Sequence, residues 1–94
     1  MATVRIPPVL RPSTGGEKEV SADGANVGQV LDALAERHPA TRSQIFGSDG
    51  DLNRYVNVYV NDEDVRVLQG LDTEVGAGDV LVILPAMAGG QKLS

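Results

Sequence analysis

Val80-Leu81-Val82-Ile83-Leu84-Pro85 is the stretch on which the fold turns. Five apolar residues follow one another without a polar alternation, as expected of a strand that is covered on both faces or sits at the centre of a sheet. Pro85 ends it, since proline has no N–H to give to a ladder. Immediately upstream, Gly76-Ala77-Gly78-Asp79 has turn chemistry. It lacks the Lys-Ser/Thr end of a phosphate loop and precedes a strand, so it reads as a tight turn, not a nucleotide cradle.

Working outward, Tyr55-Val56-Asn57-Val58-Tyr59-Val60 places valines on one side and Tyr55, Asn57 and Tyr59 on the other, the period of a half-buried strand. Asn61-Asp62-Glu63-Asp64 then forms a polar turn into a short strand around Val65 to Val67. Further back, Asn26 is a good helix N-cap with Gln29 three positions on, and Val27, Val30, Leu31, Leu34 and Ala35 share one face. The helix should stop at His38, because Pro39 disfavours helical geometry in the residue before it. A shorter helical turn is expected from Ala40 to Phe46, before the loop Gly47-Ser48-Asp49-Gly50. At the front, Val4 and Ile6 alternate with Thr3 and Arg5, and Glu17 to Ser21 is a second extended piece. Pro12-Ser13-Thr14-Gly15-Gly16 between them implies a hairpin.

The order is hairpin, helix, strand, strand, loop, central strand. That is an α+β arrangement, a mixed sheet of about five strands with one main helix across it, and it matches a β-grasp. Residues 1–85 make this domain, and residues 86–94 read as a flexible tail of small residues. Ninety-four residues allow one compact core, and 41% apolar with 22% charged residues is ordinary for a globular chain. A formal charge of -5, with no Lys/Arg cluster or aromatic row, opposes nucleic acid as a partner. Cysteine is absent, which removes disulfides, thiol nucleophiles and thiolate metal sites. No long apolar run and no secretion signal are seen, so the expectation is a cytoplasmic protein with no membrane partner.

Past the last strand stands Pro85-Ala86-Met87-Ala88-Gly89-Gly90, and with it the chain resembles the sulfur-carrier branch of the ubiquitin-like proteins, the ThiS/MoaD family. Ile6-Pro7-Pro8-Val9-Leu10-Arg11-Pro12 with Thr14-Gly15-Gly16, and Tyr59-Val60-Asn61-Asp62-Glu63-Asp64-Val65-Arg66, are most similar to the CysO type within it. The resemblance implies a sulfur carrier with no turnover of its own. Its Gly90 is adenylated and becomes a thiocarboxylate that donates sulfur in cysteine, thio-metabolite or cofactor biosynthesis. Gly89, Ala88 and Met87 would thread the partner's channel, which glycines suit because they lack a Cβ. The implied partners are a ThiF/MoeB-type ATP-dependent adenylating enzyme, a JAMM-type zinc metalloprotease, and a sulfur-accepting enzyme of a cysteine-synthase-like or thio-forming kind. No cofactor or metal of its own is implied.

Carriers of this type are expected to end at the second glycine, whereas this chain continues through Gln91-Lys92-Leu93-Ser94. With Ser94 attached, the Gly90 carbonyl is an amide, and adenylation needs a free carboxylate. The tail must go first, by cleavage of Gly90-Gln91 through attack of metal-bound water; otherwise the four residues are an expression-vector scar. Without a thiol, sulfur can be carried only at the terminus. The same activated Gly-Gly chemistry captured by an amine makes a lysine-conjugated protein modifier, the alternative function.

Other signals weigh less. His38, the one histidine, reads as a helix-end residue more readily than as part of a Ser-His-Asp relay. Asp49, Asp51 and Asn53 imitate a calcium loop, but Arg54 stands where glycine should be and Val60 where the closing glutamate should be. Asp62-Glu63-Asp64 is either a hydrated turn or a docking site for a basic surface. Met87 either anchors in a partner pocket or covers the sheet edge.

Overall fold

A computed structural model describes residues 1–85. Its five-stranded sheet has the order β2-β1-β5-β3-β4, with β1 at Ala2–Arg5, β2 at Glu19–Ala22, β3 at Val56–Val60, β4 at Glu63–Asp64 and β5 at Val80–Pro85. The apolar stretch is thus the central strand. It runs parallel to β1, with Val4 opposite Leu81, and antiparallel to β3, with Val58 opposite Ile83. The mixed sheet and the helix laid over it are the expected β-grasp.

Of the two alternatives the apolar run offered, the central place holds, and full cover is confined to one face of β5. Leu81 and Ile83 point into the core, while Val80 and Val82 are half-buried and Leu84 is exposed. The covering helix is α1, Val27–Arg37, whose Val27, Val30, Leu31 and Leu34 are fully buried against Val4, Val58 and Leu81 in one cluster. Asn26 caps it by accepting the Gln29 N–H at 2.8 Å, and the Gln29 side chain reaches back to the Ala25 N–H at 2.8 Å. His38 ends the helix outside the helical region, at φ -133° and ψ 77°, as the following proline favours. Asn26→Ala is expected to cost about 1 kcal/mol and to lower the thermal midpoint by about 4–8 °C. Thermal unfolding followed by circular dichroism measures it.

Two connections differ from expectation. Between β1 and β2 the chain forms a 3-10 helix, Pro8–Thr14, instead of a simple turn. Leu10 fills the core from it, and the buried Thr14 hydroxyl lies within hydrogen-bonding reach of the Arg11 and Glu17 carbonyls. This displaces the second strand, expected at Glu17 to Ser21, to Glu19–Ala22. The other shift is in β4. Asn61 and Asp62 both take positive φ, 50° and 75°, the requirement of a two-residue type I′ hairpin turn. Pairing therefore begins at once, Val60 with Glu63, and the strand is Glu63–Asp64 instead of Val65 to Val67. Val65 is buried, but Val67 is 82% exposed.

The expected helical turn from Ala40 to Phe46 is a 3-10 turn, Pro39–Thr41, running into α2, Arg42–Ile45. The β2 edge is blunted by Arg37, whose guanidinium donates to the Ser21 carbonyl. Among the described residues no helix is long and apolar enough to cross a membrane.

Candidate functional site: the end of the central strand

The site expected from sequence begins where β5 leaves the sheet. Register fixes its surroundings: Pro85 lies opposite Val56, and Leu84 opposite Asn57. Strand alternation then puts Val80, Val82 and Leu84 of β5, Asn57 and Tyr59 of β3, and Thr3 and Arg5 of β1 on the face away from α1. An apolar ridge therefore runs along the middle of this open face and ends at the chain exit. Tyr55, just before β3, is 63% exposed there, and Leu84 is 43% exposed.

Polar groups flank the ridge. On the β1 side, Arg5 is paired with Glu19 at 3.5 Å. On the β3 side, Arg66 reaches across from beyond β4, donating from Nη1 to Asn57 Oδ1 at 2.8 Å and from Nη2 to the Asn53 carbonyl at 2.9 Å. The sequence placed Arg66 only within a family-like stretch. Its acceptors lie 9 and 13 residues away, so no local pattern reveals the arrangement.

The residues expected to carry the chemistry, Gly90 with Gly89, Ala88 and Met87, and the scissile Gly90-Gln91 bond, lie outside the described residues. The other signals resolve into local structure. The His38 backbone N–H donates to the Leu34 carbonyl, and its own carbonyl accepts from the Thr41 N–H and hydroxyl, the latter at 2.7 Å. Asp49, Asp51 and Asn53 accept the backbone N–H groups of Asp51, Leu52 and Tyr55, so their oxygens shape a loop. Asp79 closes the glycine turn by accepting the Gly76 N–H at 2.8 Å. That bond, helped by the Asn61 amide, holds its carboxyl below the usual range. Asp62 and Glu63 lie beside the start of β5, where the Asn61 N–H donates to the Val80 carbonyl. They are at the opposite end of the sheet from the chain exit, about 17 Å away at the rise of a strand. A groove lies on the helix side, around α1 and the Gly47–Gly50 loop, where Arg42 already pairs with Asp32 at 2.8 Å.

Comparison with known proteins adds that residues 4–90 match the ThiS family, a match that includes both glycines and leaves out the last four residues. The chain belongs to the ThiS family. Among its relatives, the sulfur carrier protein CysO of Mycobacterium tuberculosis is 49% identical over 90 residues, spanning 94% of this chain and 97% of the relative. Small archaeal modifier protein 1 of Haloferax volcanii is 43% identical over 72 residues, 76% of this chain and 78% of that one. In the crystal structure of the Amycolatopsis orientalis BexX/CysO complex, the matched chain superposes with a TM-score of 0.88 at 50% identity, covering 96% of this chain and 100% of that one. A ThiS-family body thus delivers its C-terminal strand to the surface with an apolar ridge and a held arginine beside the exit.

Proposed function

We propose that this chain is a sulfur carrier whose mature terminus is Gly90. The observation that carries the reading is the span of the family match, which runs through Gly89-Gly90 and stops before Gln91-Lys92-Leu93-Ser94. Near-full-length identity to a protein named as a sulfur carrier supports it. The body acts as a handle: β5 is locked centrally between β1 and β3, so the residues after Pro85 start from a fixed point. A small β-grasp body with this tail serves as the substrate of other enzymes and turns nothing over itself.

Chemically, an adenylating enzyme of the ThiF/MoeB type converts the Gly90 carboxylate to an acyl-adenylate, with loss of pyrophosphate. Sulfide then attacks the acyl carbon, AMP leaves, and the thiocarboxylate remains. The Gly90-Gln91 amide must be hydrolysed beforehand, for which a JAMM-type zinc protease supplies a metal-activated water. The thiocarboxylate passes its sulfur to a cysteine-synthase-like or thio-forming enzyme. That a related CysO is found in a complex with BexX supports docking of the body on a second protein. All of these steps belong in the cytoplasm.

ATP–pyrophosphate exchange by the adenylating enzyme of the same cell tests this reading. A chain ending at Gly90 supports exchange and the 94-residue chain does not until it is trimmed. Equal exchange by both chains, or by neither, contradicts it. The second reading, a modifier joined to lysines through Gly90, is favoured by the identity to small archaeal modifier protein 1. A ladder of conjugates lost on removal of Gly90 distinguishes that outcome.

A further inference from the structure

We propose that Arg66 is a docking residue, whose guanidinium, held on the open sheet face beside the end of β5, pairs with a carboxylate on the rim of the adenylating enzyme's channel that receives the tail. The inference rests on the carrier reading above and names the chemistry by which the partner is recognised.

The guanidinium is fixed before any partner arrives. Asn57 Oδ1 and the Asn53 carbonyl hold two of its five N–H donors at 2.8 and 2.9 Å, and Asp64 Oδ1 accepts its backbone N–H at 2.9 Å. Both acceptors of the guanidinium are neutral. The ion pairs among the described residues are Met1–Asp23, Arg5–Glu19 and Arg42–Asp32, so Arg66 has a cation and spare donors with no carboxylate against them. A planar fork already oriented loses little freedom on pairing, which is why such an arginine suits bidentate carboxylate recognition. Arg5, on the other flank, is already matched by Glu19.

Position selects the occupant. Asn57, which holds the guanidinium, is the ladder partner of Leu84, one residue before the end of β5. Exposed Tyr55 and Leu84 stand beside it, and tyrosine and arginine next to an apolar contact form the usual nucleus of an interface. Gly90 is five residues beyond Pro85, a reach of about 17 Å when extended. A guanidinium at the base of that reach meets the channel rim, not the nucleotide at the reacting carbon, so the ligand is a protein carboxylate and not a phosphate. In a chain of net charge -5, an uncompensated cation held at the exit also sets the orientation of approach.

The test uses the mature chain ending at Gly90, which keeps the whole described core, with the adenylating enzyme of the same cell. Arg66→Ala and Arg66→Gln are expected to raise the KM for the carrier about tenfold or more, with kcat unchanged. Arg66→Lys recovers part of the loss. Rising salt raises the wild-type KM more steeply than that of the neutral variants. Glu63→Lys, at the opposite end of the sheet, leaves KM unchanged. An unaltered KM in Arg66→Gln, a loss confined to kcat, or a larger effect from Glu63→Lys overturns the inference and leaves the carrier reading standing. Absence of exchange with the wild-type chain overturns the carrier reading, and this inference with it.

Discussion

Gly90→Val, in a chain ending at that residue, is expected to lower sulfur loading by about a hundredfold or more, because a misplacement near 1 Å at a reacting centre costs that much. Valine adds a branched Cβ next to the carboxyl carbon and removes the backbone conformations open only to glycine. On the proposed carrier reading, both obstruct a chain end that enters a partner's channel and presents its carbon first to ATP and then to sulfur. Stability should not move, since the buried core of the described residues runs from Ala2 to Ile83. Unchanged thermal unfolding together with lost loading is the expected pair of results. Loading near the wild-type level would show that residue 90 is not the reacting end.

Leu81→Ala acts on the other half of the molecule. Leu81 is fully buried at the middle of the sheet, opposite Val4 on one side and Val60 on the other. Removing a buried leucine side chain costs about 2–5 kcal/mol, a large share of the roughly 5–15 kcal/mol that hold a domain together. At about 4–8 °C per kcal/mol for a chain of this size, the thermal midpoint falls by roughly 8–40 °C. Sulfur loading well below the new midpoint should be retained, because the tail is untouched. A midpoint within about 4 °C of wild type, the shift expected of 1 kcal/mol, would contradict the central place of β5 in the core.

Much of this architecture is legible in the sequence, for identifiable reasons. The alternating valines of β3 and the Asn26 and Gln29 cap are strong local signals, and the structure keeps both. Local signals fail where distant residues decide. Pro8–Thr14 contains prolines and no period, so nothing in it announces a 3-10 helix that seats Leu10 in the core. Val65 and Val67 imitate a strand, but the tight Asn61-Asp62 turn starts pairing two residues earlier and leaves Val67 in solvent. The run Val80 to Leu84 could not disclose that its second face is only half covered, since an apolar run reads alike whether one face or two are covered.

The candidate site divides in the same way. Gly89-Gly90 is visible as a motif, because its meaning depends on a short distance past the last strand. Arg66 is invisible by sequence alone: its place is made by an amide on β3 and a carbonyl before it, brought together only by the β3–β4 hairpin. The acidic turn, equally conspicuous in sequence, belongs to the end of the sheet far from the chain exit.

The most direct measurement is the intact mass of the mature chain after incubation with ATP, the adenylating enzyme of its own cell and sulfide. One oxygen replaced by one sulfur, located on residue 90 by fragmentation and absent without ATP, is the expected result. A mass that stays unchanged while the enzyme loads another carrier of the same cell would contradict the account.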